Sequence, residues 1–532
     1  MAIDATYVYA RVVGGAFAAC VMIGLRSRLA KSCNFLKRLA RQYLFYPHLV
    51  RRHRFVGPWS RAAVLSQLCI VIANIFCVSF RASSIQDASR RAARLALLNL
   101  VPAYGSAHLS FLADICGISL NATKTVHRSA GMMALPLLAF HVAVTIATQT
   151  QFSLHVAVDR WAFIGATSLG LQMFLSLPIC RRLSYEVFIR LHQSLATVTL
   201  FSVWRHLKLA PIFSRVTPLI AAAILILSFS AQSAYSLYQN MVIGAGLSRA
   251  YIIREGDAVR VRLRLSRHIR VKAGQYVGLW IPAVSFWAPL QSHPFMVTSW
   301  SAGRSKHLDI VVEPRKGWTR SLADLGRVNE QLLRDRGMKD TVSDTFVYKG
   351  LISNLALFTG PHGCSVPVGE YETVVMIASD FGIAAQLPYL HALVYSYNAC
   401  KTRNRRVHLI WFLEKYNLIP PFVSLLNAAL DNDSLDEGFI LSISIHITAS
   451  DMQDEQLGRR VNFYYGPMPL EQILKEEHEG KHIRKVQTED MRSGDMAVLV
   501  SATGSIQDLV RKLILDRFKK GVTLFELEYQ VQ

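Results

Sequence analysis

Four histidines fall at one spacing. His127 and His141 flank and cross an apolar stretch at 128–147, and His192 and His206 do the same for 191–210. The members of each pair stand at i and i+14. At about 1.5 Å rise per residue, that much helix covers roughly 21 Å. At about 100° per residue, the second ring returns to within roughly 40° of the first. Each helix therefore presents two imidazoles on one stripe, one near each side of a hydrocarbon core about 30 Å thick. A single apolar stretch separates the two helices, so they run in the same direction. His127 is expected to face His192 at one depth, and His141 to face His206 at the other. Iron held between two axial imidazoles has no open position, which suits electron transfer and not oxygen binding. The quartet predicts two stacked b-type haems, a wire across a membrane. Ionisable groups are costly inside a bilayer, which argues against four matched ones being incidental. His108 and His155 lack a partner at this spacing, and His155 is expected on an outer surface.

The elements that must position these rings are apolar. Of 532 residues, 52% are hydrophobic and 18% charged, against roughly 25% charged in soluble globular chains. Residues 1–244 hold five carboxylates (Asp4, Asp87, Asp114, Asp159, Glu186) of a total of 36. That partition excludes both a wholly soluble enzyme and a pure membrane bundle. Seven apolar stretches approach the roughly 20 residues a bilayer requires: about 7–25, 61–80, 95–113, 128–147, 161–180, 191–210 and 217–238. The first lacks a basic leader and a cleavage site, so it reads as a retained anchor. Nine Lys/Arg and no carboxylate between 26 and 59 place that loop in the cytoplasm. Seven spans then leave the N-terminus outside and the soluble half inside. The net charge of +23 comes without any nucleic-acid motif, so membrane lipids are the expected partner and nucleic acid is not. The eight cysteines are dispersed, with no CxxC, which suggests neither a disulfide framework nor a zinc site.

From about 249 the hydrophobic period changes to two. Val259, Val261, Leu263 and Leu265 alternate with Arg260, Arg262, Arg264 and Ser266, as in a half-buried strand. Short strands with Gly/Pro punctuation predict a small β-barrel. Lys316-Gly317-Trp318-Thr319 precedes an expected helix at 319–325, and a helix N-terminus with a hydroxyl and a cation nearby suits a pyrophosphate. Beyond Gly360-Pro-His-Gly363, strand runs at 373–378, 407–413 and 497–500 alternate with a helix at 383–397. This predicts an open parallel sheet with its ligand at the carboxyl ends of the strands. No catalytic triad is evident, and no catalytic residue is expected.

Over roughly residues 60–532 the chain resembles the fungal ferric reductases, in the superfamily shared with the NADPH oxidases. The histidine quartet is similar to that family's bis-haem pattern, and its equal spacings lean toward the metalloreductase branch. By the same resemblance His293, Pro294, Phe295, Val297, Thr298 and Ser299 match the flavin-binding motif. Gly317 and Thr319 match the segment near the FAD pyrophosphate. Gly360, Pro361 and Gly363 match the turn before the nucleotide domain, and Gly382 and Ile383 match its dinucleotide turn. Tyr529 stands where an aromatic residue lies close to the flavin. Two departures are present: Asp380-Phe381 replaces a glycine pair, and Ser501-Ala502-Thr503 replaces Cys-Gly-Pro.

The resemblance implies a multidomain fold: a transmembrane all-α helical bundle, a β-barrel FAD-binding domain and an α/β parallel-sheet NADPH-binding domain. The expected divisions are an anchor and basic loop at 1–60, the bis-haem region at 61–240, the barrel at 245–362 and the NAD(P)-binding domain at 363–532. The implied cofactors are FAD, two b-type haems and NADPH. Electrons would pass from cytoplasmic NADPH to external ferric or cupric chelates, with the protein in the plasma membrane. Two other endpoints stay open: a superoxide-producing oxidase, and a haem membrane protein with weakened turnover that serves as sensor or partner subunit.

Overall fold

The computed structural model describes residues 9, 39–53, 57–105, 109–148, 152–244, 246–285, 293–335, 352–434, 439–448, 460–466, 468–483, 495–518 and 521–529. The first apolar stretch, Tyr9 excepted, and His108 lie outside the described residues. The chain forms two compact units, Met1–Ser233 and Ala234–Gln532.

The first unit is helical. Its helices are α1 (Arg61–Ser79), α2 (Ile85–Gly105), α3 (Leu109–Cys116), α4 (Leu120–Thr148), α5 (Ala157–Leu175), α6 (Pro178–Leu183) and α7 (Tyr185–His206). A further helix, α8 (Ile212–Asn240), carries the chain into the second unit. Among the described residues, α1, α4 and α8 are each long and apolar enough to cross a membrane. Ile72, Ile146 and Leu227 on these helices are 64%, 71% and 68% exposed, as side chains facing lipid would be.

Fewer helices pass that test than the seven stretches expected. Asp159 and Arg160 in α5, and Glu186, Arg190 and Arg205 in α7, lower the hydropathy of two helices of span length. The stretch expected at 95–113 is two helices, with α2 ending at Gly105 and α3 starting at Leu109. α2 also starts well before the expected position 95, because its arginines are helix surface and not loop. Arg91 pairs with Asp87 one turn away at 2.9 Å and donates to the Phe80 carbonyl at 2.7 Å.

Polar and small residues join these helices. Asn99 of α2 donates to Asn74 of α1 at 3.0 Å, and both are buried. Cys77, Leu95, Ala96, Met133 and Leu137 form an apolar cluster across α1, α2 and α4. A Cβ at Gly165 of α5 would lie 3.4 Å from Ser202 of α7. Such small residues let helix backbones approach where burial against lipid supplies no driving force.

The second unit opens with a hairpin, β1 (Met241–Val242) and β2 (Gly246–Leu247). Then come β3 (Arg249–Glu255), β4 (Ala258–Ile269), β5 (Tyr276–Trp280), β6 (His293–Met296), β7 (Ser305–Val312), helix α9 (Trp318–Asp335), β8 (Asn354–Leu355) and β9 (Leu357–His362). The inward residues of β4 predicted by alternation (Val259, Val261, Leu263 and Leu265) are all buried. The expected closed barrel is not formed among the described residues. The strands make two antiparallel sheets, ordered β8-β3-β4-β7 and β9-β5-β6. β6 and β7 each end their sheet, and the link between them is short. The Thr298 amide donates to the Asp309 carbonyl (2.8 Å) and the Asp309 amide to Ser299 Oγ (2.9 Å). α9 is longer than the expected 319–325 because it covers β3. Asn329 donates to the Ile252 carbonyl at 2.9 Å.

The remaining strands are β10 (Thr373–Ser379), β11 (Arg406–Leu413), β12 (Leu441–Ile447), β13 (Val461–Tyr465), β14 (Met496–Ser501) and β15 (Val522–Glu526). They pair in parallel in the order β13-β12-β11-β10-β14-β15. Helices α10 (Ile383–Asn398), α11 (Pro420–Asn432), α12 (Leu470–His478) and α13 (Gly504–Arg517) connect them. Every residue of β10 is buried, as a strand covered on both faces requires. The chain winds outward from β10 to β13, then returns to place β14 on the other side of β10. The carboxyl ends of β10 and β14 thus flank the point where strand order reverses, the usual ligand position in such sheets.

Candidate functional site: a histidine ladder and a reversal-point cleft

α4 carries His127 and His141, and α7 carries His192 and His206, all half-buried. The His127 and His192 rings lie 6.0 Å apart between centroids, tilted by 56°. Two imidazole nitrogens bound to one metal at about 2 Å each place their ring centres roughly 6 Å apart. The spacing of this pair therefore fits an iron between them. His141 and His206 stand 14 residues further along the same two helices.

The four rings are oriented by one device. His127 Nδ1 meets the Ala103 carbonyl at 3.0 Å and His206 Nδ1 the Val158 carbonyl at 3.1 Å. A carbonyl only accepts, so these Nδ1 atoms carry the proton and the lone pair is on Nε2. His141 Nδ1 meets Ser89 Oγ at 3.1 Å and His192 Nδ1 meets Ser176 Oγ at 3.3 Å. α2 thus holds both rings of α4, while α5 and its cap residue Ser176 hold both rings of α7. Fixing one ring nitrogen is how a metal-binding imidazole is aimed. Gln172 Nε2 lies 3.2 Å from His192 Nε2, so the amide must yield for a ligand to enter there.

On the soluble side, β6 contributes His293, Pro294 and Phe295. The His293 ring stacks on Trp318 at 4.5 Å, and Phe295 stacks on the same indole at 5.7 Å. Trp318 opens α9 after Gly317, whose φ of +71° suits glycine. Val297 and Thr298 are buried, and Thr298 Oγ1 donates to the Asp309 carbonyl at 2.9 Å. Thr319 Oγ1 accepts from the Arg315 amide at 2.9 Å. Arg315 in turn donates to the Tyr529 hydroxyl at 3.0 Å, which ties the C-terminal segment to the end of β7. The open side between edge strands β6 and β7, with an aromatic stack at its rim and a helix N-terminus behind it, fits a planar ligand carrying a phosphate. Gly360 and Gly363 serve a different purpose. A Cβ at Gly360 would come within 3.1 Å of the Tyr276 carbonyl, and one at Gly363 within 3.2 Å of the Tyr276 ring.

At the reversal point, a Cβ on Gly382 would lie 1.7 Å from the Ser501 carbonyl oxygen. Ile383, fully buried, begins α10 directly behind it. Asp380 has φ +45°, a left-handed conformation for which glycine is the easy residue. Its carbonyl accepts from Trp411 Nε1 at 2.9 Å, and its Oδ1 accepts from the Glu414 amide at 3.1 Å. Burial pushes the Asp380 carboxyl above its ordinary range, and the Glu414 amide pulls against that shift.

Comparison with known proteins adds to this geometry. Residues 92–203 match the ferric reductase like transmembrane component, and residues 246–352 match an FAD-binding domain. The first match contains His127, His141 and His192 and ends just short of His206. Both segments are similar to those of the ferric reductase superfamily. Ferric/cupric reductase transmembrane component 2 of Saccharomyces cerevisiae is 24% identical over 79% of this chain and 58% of its own length. Ferric reductase transmembrane component 3 of the same yeast matches to the same extent, also 24% over 79% of this chain and 58% of its own. The probable cell surface ferric reductase kap2 of Aspergillus oryzae is 24% identical over 58% of this chain and 40% of its own. The chain thus spans less than two thirds of the length of those relatives. Among solved structures it is similar to a flavohemoglobin from Malassezia yamatoensis with bound FAD and heme. That likeness is at 12% identity and a TM-score of 0.36, over 84% of this chain and 99% of the other. The matched transmembrane component and the three apolar helices make this chain an integral membrane protein.

Several site residues escaped the sequence reading. Ala103 and Val158 act through backbone carbonyls and leave no side-chain signal. Ser89 had one: Ser89 and Ala103 stand at the same interval, i and i+14, as the histidines they hold. His155 is exposed, and its amide donates to Ser153 Oγ at 3.3 Å.

Proposed function

We propose that this chain is a transmembrane metalloreductase. It would carry electrons from cytoplasmic NADPH through FAD and two b-type haems to external ferric or cupric chelates. The observation that carries this reading is the His127–His192 pair, 6.0 Å apart, on helices that each bear a second histidine at the same interval along the chain. His127 and His192 would hold the inner haem, and His141 and His206 the outer. Bound in these sites, flavin and haem supply the conversion of a two-electron hydride donor into single electrons and their passage across the bilayer.

The chain's own residues orient and enclose. α2 and α5 fix the imidazole tautomers. His293, Pro294, Phe295, Val297, Thr298 and Ser299 would line the flavin edge, with Gly317 and Thr319 at the pyrophosphate and Tyr529 beside the ring. Gly360 and Gly363 would shape the turn leading into the nucleotide domain. Gly382 and Ile383 would receive the dinucleotide at the head of α10, a helix N-terminus favourable to phosphate. Reduction of an external chelate by outer-sphere transfer needs no acid or base from the protein. We place the N-terminus outside and the flavin and nucleotide regions in the cytoplasm on the nine cations of residues 26–59, and take the membrane to be the plasma membrane from the resemblance alone.

The test is a reduced-minus-oxidised spectrum of the purified chain with its haem stoichiometry, followed by NADPH-driven reduction of chelated iron. A chain without haem overturns the reading. A signal abolished by superoxide dismutase assigns the chain to the oxidases instead. Failure of NADPH to bleach bound flavin would point to the sensor or partner role suggested by Asp380-Phe381 and Ser501-Ala502.

A further inference from the structure

Among the described residues, the end of β4 nearest α8 carries cations without carboxylates. Further along the same outward face the arginines are paired: Arg260 with Glu255 at 3.2 Å, and Arg262 with Asp309. Beyond them come Arg264, Arg267, Arg270 and Lys272, and residues 264–275, 234–254 and 299–307 contain no Asp or Glu. Arg264, Arg270 and Lys272 are exposed. Arg249 sits directly across from Arg264 in the ladder. Like charges at opposed positions cost stability, so the fold gains nothing from this pair.

This cationic end adjoins the last turn of an apolar helix. Arg267 donates to the Tyr238 carbonyl at 3.3 Å, and its guanidinium lies 4.0 Å from the centre of the Tyr238 ring. Tyr238 belongs to α8, long and apolar enough to cross a membrane. The β1–β2 hairpin follows at once, with Met241 opposite Leu247. Its apolar side chains point to solvent: Ile243 is 97% exposed, Met241 44% and Leu247 41%. Ser266 Oγ donates to the Gly246 carbonyl at 2.8 Å and holds the hairpin against β4.

An apolar tip beside cations that meet no carboxylate among the described residues, at the exit of a spanning helix, is the composition of an interfacial membrane contact. We infer that the β1–β2 hairpin and the basic end of β4 dock on the anionic lipid headgroups of the membrane that α8 enters. Ile243 enters the headgroup layer, and Arg249, Arg264 and Arg267 lie over the lipid phosphates and carboxylates. The contact holds the flavin-side sheets at the bilayer surface. It requires only that α8 spans, and stands or falls separately from the electron path.

The test uses the full chain in nanodiscs of phosphatidylcholine alone and of phosphatidylcholine mixed with phosphatidylserine, read by hydrogen–deuterium exchange. Exchange over 241–247 and 264–272 is expected to slow by at least about threefold in the anionic discs. The slowing is expected to vanish at about 1 M salt, where the Debye length is roughly 3 Å. R249E/R264E/R267E is expected to abolish the lipid dependence, and I243S to weaken it, with exchange over 373–379 unchanged. Should the triple variant fail to fold, the salt series on the unaltered chain decides. Equal exchange in the two discs, salt-independent slowing, or slowing by inorganic phosphate in the neutral discs would each overturn the inference.

Discussion

Ser501 donates its hydroxyl to the Gly382 carbonyl at 2.7 Å, across the seam where the parallel sheet reverses its strand order. The same two residues are so close that a methyl group on Gly382 has no room. The turn after β10 and the turn after β14 are therefore one packed unit. Gly382→Ala is expected to lower the stability of the second unit by about 3 kcal/mol, the upper range for overpacking. Ser501→Ala should cost only about 1 kcal/mol, one hydrogen bond. Urea unfolding of the solubilised chain, followed by tryptophan fluorescence, separates the two. Equal stabilities would show that the turns can part freely.

The proposed haem ligands act in pairs, and so should their losses. His127→Ala and His192→Ala are each expected to halve the haem content, and the double variant should lose no more than either single one. His141→Ala and His206→Ala should behave likewise for the other site, leaving NADPH-to-flavin transfer intact. A pyridine haemochrome assay measures this. Full haem content in any of the four variants would reject that ligand.

Ser89 holds His141 through a side chain, whereas Ala103 holds His127 through its backbone. Ser89→Ala should therefore loosen one haem alone, with loss to a haem acceptor protein roughly tenfold faster for that site. Biphasic loss is expected; a single phase at the original rate would show that the hydroxyl does not orient the ring.

Burial would raise the Glu477 carboxyl, but hydrogen bonds from His408 and Arg406 overcome it and hold the group at about 2. His408 Nδ1 meets Glu477 Oε1 at 2.7 Å and Arg406 donates to the same carboxylate at 2.9 Å, which ties α12 to β11. A folded-state pKa below the unfolded one stabilises the fold above the unfolded pKa, and the gain is lost as pH falls through the folded value. Stability on the order of 3 kcal/mol should thus disappear between about pH 4.5 and pH 2. Glu477→Gln should flatten that part of the pH profile, as read by urea midpoints at each pH. An unchanged acid limb would assign the transition to other carboxylates.

Asp380 brings a carboxylate to the proposed phosphate turn, yet its Oδ1 faces the Glu414 amide. Asp380→Asn keeps an oxygen for that amide, tolerates the left-handed backbone and removes the charge. The Michaelis constant for NADPH is expected to fall roughly threefold, with kcat nearly unchanged. No change would place the nucleotide phosphates away from this turn.

The histidine spacing was legible because helix geometry converts an interval along the chain into a rise and a face without reference to any neighbour. So was the strand–helix alternation beyond residue 373, since buried parallel strands read as unbroken apolar runs. Helix limits in the membrane half were less legible. Arg91 looks like a loop residue until Asp87 and the Phe80 carbonyl are seen to receive it. The barrel was misread for a related reason. Alternation along β4 reports which side faces the core, but closure depends on whether β6 and β7 meet, and pairing between distant strands leaves no mark on either one alone.

Sequence by itself determined the period of each segment, the partition of charge and the intervals between candidate ligands, because these are properties of a chain and its local geometry. Tertiary structure alone decided which backbone carbonyls aim the imidazoles, which sheet edges stay open and which arginines find a carboxylate. Those depend on contacts between residues far apart in the chain, and a carbonyl is the same group at every position until folding brings it to a partner.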